Sequence, residues 1–123
     1  MKIAMVGFGK MGHMIKAAAE ASGNEVVLTV DVVADDADVK VAAGDYEAVA
    51  RAVKESGAQG VIEFTHPTAV MGNIKALLPL GLPLVVGTTG WNDKHEEIAA
   101  YAKEVGHDGG FFACSSGDGV KTV

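Results

Sequence analysis

Lys2-Ile3-Ala4-Met5-Val6-Gly7-Phe8-Gly9-Lys10-Met11-Gly12 (KIAMVGFGKMG) is the stretch on which the fold turns. Lys2 to Val6 is a short apolar run that reads as a buried strand, ended by Gly7. From Lys10 the pattern becomes helical and runs to Ser22. Met11, Met14, Ile15 and Ala18 share one face, and Gly23 stands at the C-terminal end. Between strand and helix lies G-x-G-x-x-G. Alone the pattern is weak, because a chain with 16 glycines produces it by chance. In this position each glycine has a task. The first permits a tight turn, the second lets backbone approach a pyrophosphate, and the third lets the helix pack closely on the strand. The helix start adds free N–H groups and the positive end of the dipole. This context predicts a dinucleotide loop; the alternative is a strand-to-helix turn without a ligand.

Outward from this unit the alternation continues. Glu25 to Val30 reads as a second strand. Asp45 to Ser56 is a helix with Tyr46, Val49, Ala50 and Val53 on one face and Gly57 closing it. Gly60 to Phe64 is a third strand, and Pro67 opens a third helix that runs to about Leu78. Pro83 to Val86 is a fourth strand. The fourth helix begins near Asn92 or Asp93, with Glu96 placed to complete a capping box, and ends at Gly106. Phe111 to Cys114 is a fifth strand. Strict alternation of strand and helix predicts an α/β fold: a Rossmann-like, doubly wound parallel sheet of about five strands and four helices. One domain is expected over residues 1–114, with residues 115–123 a tail or a truncated linker. The acidic stretch Asp31 to Gly44 is the one long irregular segment.

Composition agrees with a single soluble domain. The chain has 123 residues, far below the roughly 250 to 300 at which a core splits, and it is 49% hydrophobic and 21% charged. The net charge of −6 argues against a general binder of nucleic acid or of anionic membranes. No apolar run reaches the roughly 18 residues of a bilayer span, and the N-terminus does not read as a signal peptide. The lone cysteine, Cys114, forms no intrachain disulfide and suits a reducing cytoplasm. His13, His66, His95 and His107 fall at no metal-ligand spacing, so no metal site is expected. Cys114 has no evident base beside it and reads as an inert thiol.

Asp31 follows Gly7 by 24 residues, at the end of the second strand, where a carboxylate accepts from a ribose hydroxyl. A 2′-phosphate would be repelled there, and Val32 follows instead of an arginine, so NAD(H) is favoured. Lys10 offsets part of that repulsion, which leaves NADP(H) open. The fourth strand ends in Gly87-Thr88-Thr89-Gly90-Trp91, at the sheet end where ligands bind in open parallel sheets. Its two hydroxyls between glycines suit a nicotinamide ribose or a small anion; a plain turn is the other reading.

GFGKMG, then VIEFTHP (Val61 to Pro67), then VVGTTGW (Val85 to Trp91), resemble the N-terminal domain of dihydrodipicolinate reductase over about residues 1–114. The resemblance implies that Gly7, Phe8, Gly9, Lys10, Met11 and Gly12 meet the pyrophosphate and Asp31 the adenosine ribose. It places Phe64, Thr65, Gly87, Thr88 and Thr89 against the ribose and nicotinamide. In FFACSSGDGV, Ala113 and Cys114 match two small residues of the family, which adds Cys114 to the expected cofactor contacts. Ser115, Ser116 and Gly117 stand where the family has Asn, a bulky residue and Ser. The family's substrate signature, adjacent histidines followed by Lys and Ser-Gly-Thr, does not occur here. The resemblance therefore implies a cofactor module without a catalytic residue, inactive as a reductase on its own. A homo-oligomer or a separate substrate domain would have to complete it. A nucleotide sensor without turnover is the alternative function.

Overall fold

The computed structural model describes residues 1–115 and 119–122. The first strand, β1 (Lys2–Val6), leads through the glycine turn into α1 (Lys10–Ala21) and then β2 (Glu25–Asp31). A two-residue strand, β3 (Val39–Lys40), precedes α2 (Tyr46–Ser56). Next come β4 (Gly60–Glu63), α3 (Pro67–Leu77), β5 (Leu84–Val86), α4 (His95–Glu104), β6 (Phe111–Ser115) and β7 (Gly119–Thr122).

Local chemistry explains most boundaries. Asp45 caps α2 by accepting from the Ala48 N–H, and Gly57 ends it in the left-handed conformation. Pro67 occupies the first turn of α3, where its missing N–H costs nothing. Past Leu77 the chain tightens into a 3₁₀ turn, Leu78–Leu80, which accommodates Pro79. The expected capping box at Asp93 does not form. A 3₁₀ turn over Asn92–Lys94, begun by Lys94 N–H donating to Trp91 carbonyl, moves the start of α4 to His95. Glu96 and Glu97 then sit in the first helical turn, where the dipole favours negative charge.

The strands form one sheet in the order β3-β2-β1-β4-β5-β6-β7. Pairing is parallel from β3 through β6, and β7 runs antiparallel to β6. Two of these strands were not expected. β3 lies in the segment read as irregular, pairs with Val30 and Asp31, and is led in by reciprocal bonds between Thr29 and Asp38. β7 lies in the stretch read as a tail. Alternate strand residues, among them Val6, Val30, Val61, Leu84 and Ala113, join Val49, Val53, Ile74 and Ile98 of α2, α3 and α4 in the main core. Right-handed crossovers place α1 on the opposite face, over buried Ile3 and Met5. There the shared apolar face of α1 is not a buried one. Met11 and Met14 are 47% and 60% exposed, and Gly12 is the only buried residue of the helix. α1 approaches the sheet through Gly12, whose missing Cβ would lie 2.9 Å from the Gly7 carbonyl oxygen. Its longer side chains stand away from that contact. No helix of the described residues is long and apolar enough to cross a membrane.

Candidate functional site

From β1 the chain winds outward to β2 and β3, then returns to β4 on the other side. That reversal opens a crevice above the carboxyl ends of β1 and β4. A cavity of about 470 Å³ fills it.

The glycine loop forms its floor. Gly7 donates its N–H to Val30 at 2.7 Å, and Phe64 donates to Val6 at 2.8 Å, so the turn is stitched to β2 and to the chain leaving β4. Gly7 has φ +104°, and a Cβ there would lie 2.0 Å from the Phe64 carbonyl oxygen. Gly9 differs. It occupies the N-cap of α1 with no side chain capping the helix, and a Cβ there would meet nothing within 4 Å. The first-turn amides of α1 therefore face an open cavity wall made by Gly9, Lys10, Met11 and Gly12. Such an end attracts an anion through its unpaired N–H groups and its dipole.

Asp31 stands at the β2 end of the cavity, part-buried. One carboxylate oxygen accepts from Ala34 N–H at 2.9 Å, and the other has no donor among the described residues. Lys40 pairs with Asp35 at 2.8 Å. The far wall comes from Ala42 to Tyr46 before and within α2 and from Thr68 and Ala69 at the start of α3, whose role was not anticipated, and from His66, for which the sequence leaves both a place bordering the cofactor and a plain surface position open.

Gly7, Gly9, Lys10, Met11, Gly12, Asp31, Phe64 and Thr65 of the expected site meet around this cavity. Phe8, Gly87, Thr88 and Thr89, also expected there, are not among the residues that line it. The Phe8 ring is buried and stacks on His13 with centroids 3.9 Å apart. Gly87 lies under the Phe64 ring, where a Cβ would come within 2.2 Å of it. Thr88 is buried and turned inward, while Thr89 is exposed. Cys114 belongs to β6 by its backbone; its side chain, like Ser116 and Gly117, lies outside the described residues.

Thr88 turns inward to reach Glu63, the last residue of β4, which is fully buried. The Glu63 carboxylate accepts from Thr65 hydroxyl at 2.5 Å, Thr88 hydroxyl at 2.6 Å and Asn73 amide at 3.1 Å. Thr65 N–H donates to Thr88 Oγ1 at 2.7 Å. Burial pushes the Glu63 carboxyl above its ordinary range, and the three donors pull it back. The strand pattern carried a signal here. Glu63 shares the parity of Val61, so a charge was directed into the core.

On the first turns of α1, His13 meets Asp36 at 2.5 Å and Gly9 carbonyl at 2.8 Å. The Gly9 carbonyl, and after it the Asp36 carboxylate, hold the imidazole above 6.5, and His13 holds Asp36 below 3.8. His13 thus contributes to stability fully below pH 6.5, and this is lost as pH rises through its raised value. Asp36 contributes above pH 3.8, and this is lost as pH falls through its lowered value. Asp36→Asn is expected to lower the His13 titration midpoint while leaving part of the rise, since Gly9 is the larger cause. A proton NMR titration of the imidazole checks this, and an unchanged midpoint would contradict it.

Comparison with known proteins gives one family. The family model described as dihydrodipicolinate reductase, N-terminus, matches residues 1–110. The 4-hydroxy-tetrahydrodipicolinate reductase of Nocardia farcinica is 39% identical over 85 residues, which is 68% of this chain and 29% of that protein. The enzyme of the same name from Mycolicibacterium smegmatis is 35% identical over 105 residues, 84% of this chain and 38% of that protein. The chain thus spans about a third of the length of these relatives. Two solved structures share the fold over 92% of this chain. One is a probable dehydrogenase from Thermotoga maritima (TM-score 0.67, 12% identity, 35% of that chain). The other is the pyrroline carboxylate reductase of Plasmodium falciparum with NADP bound (TM-score 0.57, 15% identity, 41% of that chain). With the glycine loop, the acid after β2 and the two threonine loops placed around one sheet end, the chain belongs to the dihydrodipicolinate reductase family, as its N-terminal, nucleotide-binding domain.

Proposed function

We propose that this domain binds NAD(H), in preference to NADP(H), as the cofactor-holding part of a 4-hydroxy-tetrahydrodipicolinate reductase. The observation that carries the reading is the Asp31 carboxylate, one oxygen unspent, on the same cavity wall as the uncapped start of α1. The residues present fit the group. The α1 amides receive the pyrophosphate, the open space at Gly9 admits it, and Asp31 accepts from the ribose hydroxyls. Val32 and Val33 follow Asp31 on the cavity wall and bring no cation for a 2′-phosphate. The nicotinamide, when bound, supplies the hydride. The domain's own work is to orient it and keep it off bulk water. Lys10 and His66 are the only Lys, Arg or His side chains on the described cavity wall. We therefore assign the clamp for substrate carboxylates and the proton donor to a further domain, in the same chain or a partner subunit. A cytoplasmic location suits such an enzyme.

Calorimetric titration with NADH and NADPH tests the reading. NADH is expected to bind more tightly, and Asp31→Ala to weaken it by about 1.5 to 3 kcal/mol through lost charge-assisted bonds. The absence of heat with either dinucleotide would remove the proposal. The 123 residues alone are expected to show no steady oxidation of NADH with freshly generated substrate.

A further inference from the structure

We propose that Glu63 is a positioning residue for the nicotinamide half of the dinucleotide: its buried carboxylate draws in the hydroxyl protons of Thr65 and Thr88 and holds the loops after β4 and β5 at one spacing. This rests on the dinucleotide reading above. With the adenosine ribose at Asp31 and the pyrophosphate at α1, the remaining half runs on toward the ends of β4 and β5. Thr65 and Thr88 begin those loops.

Apolar contacts also join the two loops, the Phe64 ring over Gly87 and Pro67 beside Gly90, but the polar links are few. The β4–β5 ladder ends at Glu63 and Val86, where Gly87 N–H donates to Glu63 carbonyl at 2.7 Å. Beyond that point the polar link is the Glu63 side chain and the bond from Thr65 N–H to Thr88 Oγ1. Asn73 braces the cluster from α3, its amide donating to Glu63 and, at 3.4 Å, to Thr65 Oγ1. Both hydroxyls donate to the carboxylate and have no proton left for another acceptor. Thr88 Oγ1 accepts from Thr65 N–H and is buried, so it offers the cavity nothing. A hydroxyl oxygen accepts twice, so Thr65 Oγ1 keeps one place beside the Asn73 contact; Thr65 lines the cavity and is part-buried, and its hydroxyl meets a ligand as an acceptor. The matching partner is a donor on the nicotinamide side, a ribose hydroxyl or the carboxamide NH₂. A glutamine at position 63 keeps the shape but puts donors where an acceptor was, so one threonine hydroxyl must reverse.

The test compares NADH with ADP, which lacks the nicotinamide and its ribose, on the 123-residue chain by calorimetry, with circular dichroism to establish folding. The wild type is expected to bind NADH more tightly. Glu63→Gln is expected to reduce NADH affinity about tenfold, or 1.4 kcal/mol, and to leave ADP within about twofold. A merely structural residue would weaken both ligands in parallel, and that result, or an unchanged ratio, overturns the proposal. Equal affinities in the wild type overturn it as well. A wild type that binds neither ligand removes the dinucleotide reading and this inference with it. Should Glu63→Gln not fold, Thr88→Val decides, since Thr88 Oγ1 is the bridge to Thr65 N–H; the same selective loss of NADH affinity is expected.

Discussion

Gly7→Ala is expected to cost about 2 to 6 kcal/mol of folding stability, from about 1 to 3 for a side chain forced to positive φ and a similar amount for overpacking. The new Cβ would lie 2.0 Å from the Phe64 carbonyl oxygen and 2.7 Å from its carbon. Backbone blocks it, so no rotamer change makes room. The only relief is to part β1 from the chain leaving β4, which breaks the bond from Phe64 N–H to Val6. Against a total of about 5 to 15 kcal/mol, such a loss leaves a marginal domain. Urea unfolding followed by circular dichroism measures it. A midpoint equal to the wild type would mean that Gly7 and Phe64 do not touch.

Gly9→Val is expected to do the opposite: it leaves the fold and removes the ligand. Gly9 has φ −80° and ψ −159°, open to any residue, and its Cβ would meet nothing within 4 Å. The stability cost is that of a poorer N-cap, about 1 kcal/mol. The isopropyl group, however, would stand in the cavity where the first-turn amides of α1 point. Dinucleotide affinity should fall by about 100-fold or more, equivalent to about 2.8 kcal/mol. Calorimetry at matched folded concentrations reads this directly, and retained NADH binding would move the pyrophosphate away from α1. Two glycines of one motif thus separate by experiment into one that serves the chain and one that serves the ligand.

That division was visible in the sequence, because G-x-G-x-x-G between a strand and a helix restricts both backbone angles and space. The same holds for Asp45, Gly57 and Pro67, whose effects on helix ends are local. What escaped depends on partners distant in sequence. Val39–Lys40 becomes a strand because Val30 and Asp31 offer a free edge and Thr29 and Asp38 bond to each other beside it. Asp93 lost its capping role to a 3₁₀ turn set by Trp91, whose indole donates to Thr88 carbonyl at 2.7 Å. Met11 and Met14 follow a helical stripe, but periodicity says nothing of whether another surface covers it. Thr88 was expected to face the ligand, since a hydroxyl between glycines looks available. Its inward turn follows from Glu63, 25 residues earlier.

The β1–β4 pairing beneath the crevice also bears on the order in which the molecule assembles. Ile3 faces Gly60 and Val6 faces Glu63, whereas β1 and β2, β4 and β5, and β5 and β6 are joined over much shorter loops. Closing the longest loop carries the largest entropic cost, and contacts between distant segments slow folding. The unit from β1 to β2 is therefore expected to form early, and the seam that carries the glycine turn and Phe64 late. During synthesis β1 must wait with one edge free until β4 has been made. A dinucleotide held across that seam would act as a latch on the last-formed junction, slowing its opening more than it speeds its closure.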